Sequence, residues 1–274
     1  MSQRILVTAA TGTVGRHVTA RLAEDGAEVR ALSRTPAGFP PGVQPLRGDL
    51  SAPGSLAPAV DGVDAVFLIW PFASVDGLEA VLALMAGHAR KLVYLSSATV
   101  REHERRAEGL IERSGLEWTV LRPHAFAANA SRWAGQIRAG DMVREPYGRA
   151  AMSLVHEQDI AAVAVAALLQ EGHEGAVHEL TGPESLTQAD QVRAIGEAVG
   201  RPVRWEEAPP EEARQRMLAR GWPPHVADDV LRAQAAMTAG PAPVTTTVEK
   251  VTGTPARTFR SWAEAHTHLF RPTP

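Results

Sequence analysis

The run Ile5-Leu6-Val7-Thr8-Ala9-Ala10-Thr11-Gly12-Thr13-Val14-Gly15 constrains the fold of this chain more than any other segment. It reads as a short buried strand, a tight turn and a helix that opens on the turn. That local design places a pyrophosphate at a helix N-terminus. Gly12 lets the backbone approach a phosphate, and Gly15 lets the helix pack close to the strand. Thr8, Ala10, Thr11, Thr13 and Val14 complete the turn, with Thr11 and Thr13 as hydroxyl donors. Ala9 stands where the usual fingerprint has its first glycine. A turn whose glycines serve packing alone therefore stays open as the alternative.

The rest of the first half continues in the same alternation. Apolar runs at 29–32, 43–46, 65–69, 92–95 and 118–121 predict strands; helical spacing appears at 14–22, 78–89 and 102–114. Strictly alternating βα units imply a parallel sheet with helices on both faces, wound right-handedly. The expected class is α/β, a Rossmann-type doubly wound parallel sheet with a small C-terminal α/β substrate lobe. Residues of about 1–150 form the dinucleotide-binding core, and about 151–274 form mainly the lobe, intertwined with it. In this second half helices are expected over 126–139, over 160–169 behind Asp159, from Thr187 to Val199, and after Pro209-Pro210 and Pro223-Pro224.

Composition narrows the function classes. The chain has no cysteine, which removes disulfides, thiolate catalysis and Cys-based metal centres. Its net charge is -3, and no Lys/Arg run forms a nucleic-acid surface. No apolar run approaches the roughly 18–20 residues of a membrane span, and the start has no secretory leader pattern. No His-Glu-x-x-His motif or other metal-ligand spacing occurs. The expectation is a soluble cytoplasmic protein with a small-molecule substrate, no nucleic-acid or membrane partner and no metal, either monomeric or homodimeric.

The second strand speaks to which dinucleotide binds. An NAD site places Asp or Glu at its end, on the ribose 2′-hydroxyl. Here Ser33-Arg34 occupy that place, and no carboxylate occurs from Val29 to Phe39. A guanidinium suits a 2′-phosphate, so NADP(H) is expected in preference to NAD(H). Asp49 either meets the adenine amino group or caps the helix after Pro53.

Taken together, these residues resemble the NmrA-like branch of the atypical short-chain dehydrogenases/reductases. The matching pieces are Val7 to Gly15, Val29-Arg30-Ala31-Leu32-Ser33-Arg34, Gly48-Asp49-Leu50, Val66-Phe67-Leu68-Ile69-Trp70-Pro71, Val93-Tyr94-Leu95-Ser96-Ser97, Ser114 to Pro123, Phe126 with Asn129, and the ending Val248 to Phe259. The resemblance covers nearly the whole chain. It implies that NADP(H) lies along the loops after strands one, two, four and five, with Asp49 and Leu50 beside it. Ile69, Trp70 and Pro71 would border ribose and nicotinamide, Ser96 and Ser97 would lie near the nicotinamide, and Pro123, His124 and Phe126 would wall the site.

Most short-chain reductases protonate their product with a Tyr-x-x-x-Lys pair. This chain has only Tyr94 and Tyr147, and four residues on stand Ala98 and Ala151. The substrate is therefore expected to be electrophilic already: a conjugated or aromatic ketone, quinone or iminium, reduced mainly through proximity and orientation. His124 is the first candidate proton donor and Ser97 the second. Phe126, Asn129, Trp133 and Tyr147 are the candidate pocket residues. The expected activity is an NADPH-dependent reductase. A non-catalytic NADP(H)-binding sensor and a cofactor-dependent epimerase or dehydratase are the alternatives.

Overall fold

A computed structural model describes residues 2–271. The chain begins with β1 (Arg4–Val7), α1 (Gly15–Glu24), β2 (Glu28–Ser33) and β3 (Gln44–Arg47). A 3₁₀ turn leads into the short α2 (Ala57–Val60). Then come β4 (Ala65–Ile69), α3 (Leu78–Ala86), β5 (Lys91–Leu95), α4 (Glu102–Glu112) and β6 (Glu117–Pro123). After a 3₁₀ segment, Ala127–Trp133, follow α5 (Ala134–Ala139), β7 (Met142–Glu145), β8 (Ala151–Met152), α6 (Glu157–Leu169) and β9 (Ala176–Leu180). The remainder is β10 (Leu186–Thr187), α7 (Gln188–Val199), β11 (Arg204–Glu207), α8 (Pro210–Ala219), α9 (Pro224–Ala236), α10 (Thr247–Thr252) and α11 (Phe259–Ala265).

These elements divide into two compact units. Among the described residues the first comprises 2–124, 157–180 and 247–255, and the second comprises 125–156, 181–246 and 256–271. In the first unit seven strands form one sheet in the order β3-β2-β1-β4-β5-β6-β9. Every pairing is parallel, with Val7 opposite both Ala31 and Phe67, and Pro123 opposite Leu180. The strand order reverses between β1 and β4, and this reversal opens a crevice at their carboxyl ends. The central strands are apolar and buried on both faces, as Ile5, Val66, Phe67, Leu92 and Val93 at 0 % exposure show. Leu56, Val60, Val81, Met85 and Ile111 pack one face together with Leu68 and Tyr94. Helices α1, α6 and α10 associate with one another. Helix α6 is apolar almost all round, and the residues from Ile160 to Leu168 are all buried, which makes it an interior helix.

The second unit has its own core around Trp133, Ile137, Val143, Val192, Ile195, Phe259, Trp262 and Phe270. Two small ladders frame it: β7 with β11 in parallel, and β8 with β10 antiparallel. Thr187 caps α7 through a reciprocal box with Asp190. The segment expected as one helix over 126–139 is split into a 3₁₀ turn and a six-residue α-helix. Among the described residues, no helix is long and apolar enough to cross a membrane.

Candidate active site

The β1–α1 turn is built by steric necessity. A Cβ on Gly15 would lie 2.2 Å from the Ala9 carbonyl oxygen and 3.0 Å from Ala10 Cα, so no side chain fits there. At Gly12 the same oxygen would be 3.1 Å away, and the Gly12 N–H donates to it at 2.9 Å. Ala9 itself takes φ 47°, in the left-handed region that favours glycine. Thr8 is fully buried: its hydroxyl accepts the Ile69 N–H at 2.8 Å and donates to the Phe67 carbonyl at 3.2 Å. It therefore fixes the end of β4 against β1. Ala10 N–H donates to the Leu32 carbonyl at 3.1 Å, which ties the turn to β2. No side chain caps α1, whose N-cap is Val14; the Arg16 N–H donates to the Gly12 carbonyl at 3.2 Å and the His17 N–H to the Val14 carbonyl at 2.9 Å, so of its first turn the Gly15 N–H is the donor left to a ligand or water.

A cavity of about 370 Å³ opens over this turn, lined by Ala9, Thr11, Gly12, Leu32, Ser33, Arg34, Gly48, Asp49, Leu50, Pro71 and Phe72. It unites the ends of β1, β2, β3 and β4. Two side chains in it fit a nucleotide. The Ser33 hydroxyl is buried and has no protein partner, a polar atom awaiting a ligand group. Arg34 is exposed and makes no ion pair among the described residues. The Asp49 Oδ1 accepts from the Ser51 N–H at 2.9 Å and from its hydroxyl at 2.8 Å. These two bonds, with the Arg34 charge, hold the Asp49 carboxyl below its ordinary range. Trp70 turns away into the core: it is 6 % exposed, its indole N–H donates to the Ser74 carbonyl at 2.7 Å, and Phe72 stands edge-on to it at 4.8 Å. Phe72 lines the cavity and is not among the expected residues; an aromatic three positions beyond a strand end carries no motif.

Beyond β5 and β6 lies a second group. The Ser96 hydroxyl donates to Glu108 Oε1 at 2.5 Å. The same carboxylate accepts from Arg122 Nε at 3.0 Å and Nη2 at 2.5 Å. Glu108 is 5 % exposed, so this is a buried ion pair reaching from α4 to β6. Burial and the Glu108 charge push the Tyr94 phenol up. The Ser97 hydroxyl accepts the Thr99 N–H at 3.2 Å, which makes it a turn-forming group. His124 follows Pro123 at the carboxyl end of β6, with its Nε2 2.5 Å from Glu179 Oε1 on β9. Neither Glu108 nor Glu179 was foreseen, because each meets its partner across the fold, without a local motif.

In the second unit Phe126 bridges to Val155, and Asn129 is exposed. Trp133, expected at a pocket wall, is instead 1 % exposed and packs edge-on to Trp205 in that unit's core. An indole at the C-terminal end of a tight 3₁₀ turn faces inward, where its large apolar area is best buried. Tyr147 takes φ 62° and is half-buried. The Glu207 carboxylate accepts its N–H at 2.5 Å and that of Gly148 at 3.0 Å, holding the backbone in that conformation.

A doubly wound parallel sheet, a sterically enforced glycine turn and a cavity at the strand reversal define a dinucleotide-binding protein. The chain belongs to the NmrA-like branch of the atypical short-chain dehydrogenases/reductases: residues 9–171 match the model of an NAD(P)H-binding family. It is similar to (4-alkanoyl-5-oxo-2,5-dihydrofuran-3-yl)methyl phosphate reductase of Streptomyces griseus, with 40% identity over 98% of this chain and 99% of that protein. It is 35% identical to an NAD(P)H azoreductase of Xenophilus azovorans over 97% of this chain and 99% of the other. The structure of an NADPH-dependent quinone oxidoreductase from Escherichia coli in complex with NADPH superposes with a TM-score of 0.78, at 22% identity, over 97% of this chain and 100% of that one.

Proposed function

We propose that the protein is an NADPH-dependent reductase of conjugated carbonyl electrophiles, of which an acylated butenolide is the leading type. The observation that carries the reading is the end-to-end similarity, at 40% identity, to a reductase whose name specifies a 4-alkanoyl-5-oxo-2,5-dihydrofuran-3-ylmethyl phosphate. In that ring the C=C bond is conjugated with both the lactone and the alkanoyl carbonyl. Its β-carbon accepts hydride readily, and the electron pair is delocalised over two oxygens before a proton arrives. Such chemistry needs orientation more than strong acid assistance.

The bound nicotinamide supplies the hydride. The protein's own part begins with the β1–α1 turn, where Gly12 and Gly15 leave room for the pyrophosphate. Arg34 and the buried Ser33 hydroxyl suit the adenosine 2′-phosphate, which favours NADPH over NADH. Ser96, held by Glu108, and Pro123 shape the edge where the nicotinamide ring would lie. His124, with Nε2 oriented by the Glu179 carboxylate, is the proton donor to the α-carbon or an oxygen of the enolate that hydride transfer leaves. Tyr94 does not serve, because it is 2 % exposed and its phenol is pushed up by burial. The Ser97 hydroxyl is engaged with Thr99.

The test is loss of NADPH absorbance with a panel of acylbutenolides, quinones, iminiums and azo dyes. Turnover is expected with acylbutenolides first. If no compound in the panel is reduced while NADP+ and NADPH bind equally well, the reductase reading fails and a non-catalytic sensor replaces it.

A further inference from the structure

The cavity at the strand reversal carries two kinds of lining group, and they suit different parts of one ligand. Arg34 and the unpartnered Ser33 hydroxyl suit a phosphate, and Gly12 leaves room for another. Leu32, Leu50 and Phe72 in the same lining suit a flat, weakly solvated ring. Phe72 is the one aromatic among these lining residues. It is half-buried, so part of its ring is packed and part is open to the cavity. In an NADP(H) molecule the 2′-phosphate and the adenine hang from the same ribose. A phosphate on Arg34 therefore keeps the base within one sugar of it, in the cavity that Phe72 lines.

The Phe72 ring is held in place by the protein alone. It packs against the core of the first unit, with Trp70 at a centroid distance of 4.8 Å and an interplanar angle of 72°. Trp70 is itself fixed, because it is buried and its indole N–H is bonded to the Ser74 carbonyl. Pro71 stands between the two aromatics and restricts the backbone that joins them. A ring fixed in this way has little rotamer freedom to lose when a ligand arrives. The same lining offers an acceptor for a base edge. Asp49 spends Oδ1 on Ser51, and its Oδ2 accepts no hydrogen bond among the described residues. An apolar platform with an acceptor in the same cavity matches a base that has a π-face and an amino edge.

We propose that Phe72 is the platform on which the adenine ring of NADP(H) stacks. The proposal rests on the reading that puts the adenosine 2′-phosphate at Arg34, and the test separates the two.

Fragments of the cofactor are titrated against the full chain: 2′,5′-ADP and 5′-AMP, which carry the base, and NMN+, which does not. Calorimetry gives the affinities, and proton NMR follows adenine H2 and H8, which a ring current moves upfield when the base lies over an aromatic face. Phe72→Ala is expected to weaken 2′,5′-ADP and 5′-AMP by the same factor, roughly 10- to 100-fold, the worth of one aromatic–base stack. NMN+ should bind the variant as it binds the wild type. Phe72→Tyr keeps the ring and should retain both affinity and upfield shift. Phe72→Leu keeps apolar bulk without the ring; it should fall between in affinity and lose the shift, and it decides the matter if the alanine variant does not fold. Equal binding of both adenine nucleotides to wild type, Phe72→Leu and Phe72→Ala overturns the proposal. So does an equal loss for NMN+, which would mean that Phe72 acts through the fold or at the other end of the cofactor. Arg34→Ala should weaken 2′,5′-ADP and leave 5′-AMP unchanged. If it weakens neither, the 2′-phosphate reading fails, and the 5′-AMP titration still decides the platform.

Discussion

Arg34 and Arg122 are both arginines at the carboxyl end of a strand, and their surroundings give them opposite work. Arg122 is consumed by a buried carboxylate, so its charge holds α4 against β6. Arg34 has no such partner and lines the cavity, with Asp49 near enough to feel its charge. Arg34→Ala is therefore expected to weaken NADPH by about 10-fold or more while leaving NADH affinity nearly unchanged, since only one of them carries a 2′-phosphate. Titration with each dinucleotide checks this; equal losses would remove Arg34 from that role. Ala9 shows the limit of reading residues by motif. The turn keeps the left-handed backbone of a glycine fingerprint at φ 47°, although an alanine occupies the position. The surrounding bonds from Gly12 and Ala10 hold the turn's shape despite the Cβ.

Elements were legible in the sequence where their cause is local. β1, β2, β4, β5 and β6 are apolar runs, and each was anticipated within two residues of its observed ends. β3 was displaced by one residue, in an edge strand that includes Pro45. β9 was not anticipated. As the last strand of the sheet it pairs on one side only, so His178 and Glu179 interrupt the apolar run that a central strand would show. The long-range side-chain pairings are invisible for a related reason. Ser96 and Arg122 meet on Glu108 from positions 12 and 14 residues away, His124 meets Glu179 across 55, and Arg132 meets Gln188 across 56. No period or motif links such positions; only the sheet order and the turn geometry bring them together. Glu108→Gln probes the first of these. Removing one partner of a buried pair leaves the other charge uncompensated, and the expected loss is about 3 kcal/mol, the low end because Arg122 is 32% exposed. Ser96→Ala, which deletes one hydrogen bond, should cost about 1 kcal/mol. Denaturant midpoints of the two variants measure the difference, and equal effects would show that the ion pair contributes nothing beyond the hydroxyl.

For the whole molecule, the pair His173–His178 links pH to stability. The His173 Nδ1 lies 3.2 Å from the His178 Nε2, and burial, then the neighbouring His173 charge, lowers the His178 pKa. With the folded value below the ordinary one of about 6.5, the unfolded chain takes up the proton first as pH falls. The contribution is fully present above pH of about 6.5 and is lost as pH falls through the lowered folded value. A small drop in Tm is expected between about pH 7 and 5, and His178→Gln should flatten it relative to the wild type. A parallel pH dependence in both proteins would show that other groups carry the slope.

The threading of the chain between its two units has a consequence for biosynthesis. The first unit is not complete when β6 has been made: it still lacks the interior helix α6, the edge strand β9 and finally α10, which arrives with residues 247–255. A nascent chain leaving the ribosome after residue 124 therefore carries a six-stranded sheet with β6 unpaired at its edge and without the apolar helix that α1 packs against. The second unit, in turn, waits for α11 at Phe259–Ala265. Neither unit can be released as a finished product by cutting the gene at one point. Engineers who shorten or fuse this protein must carry both units together.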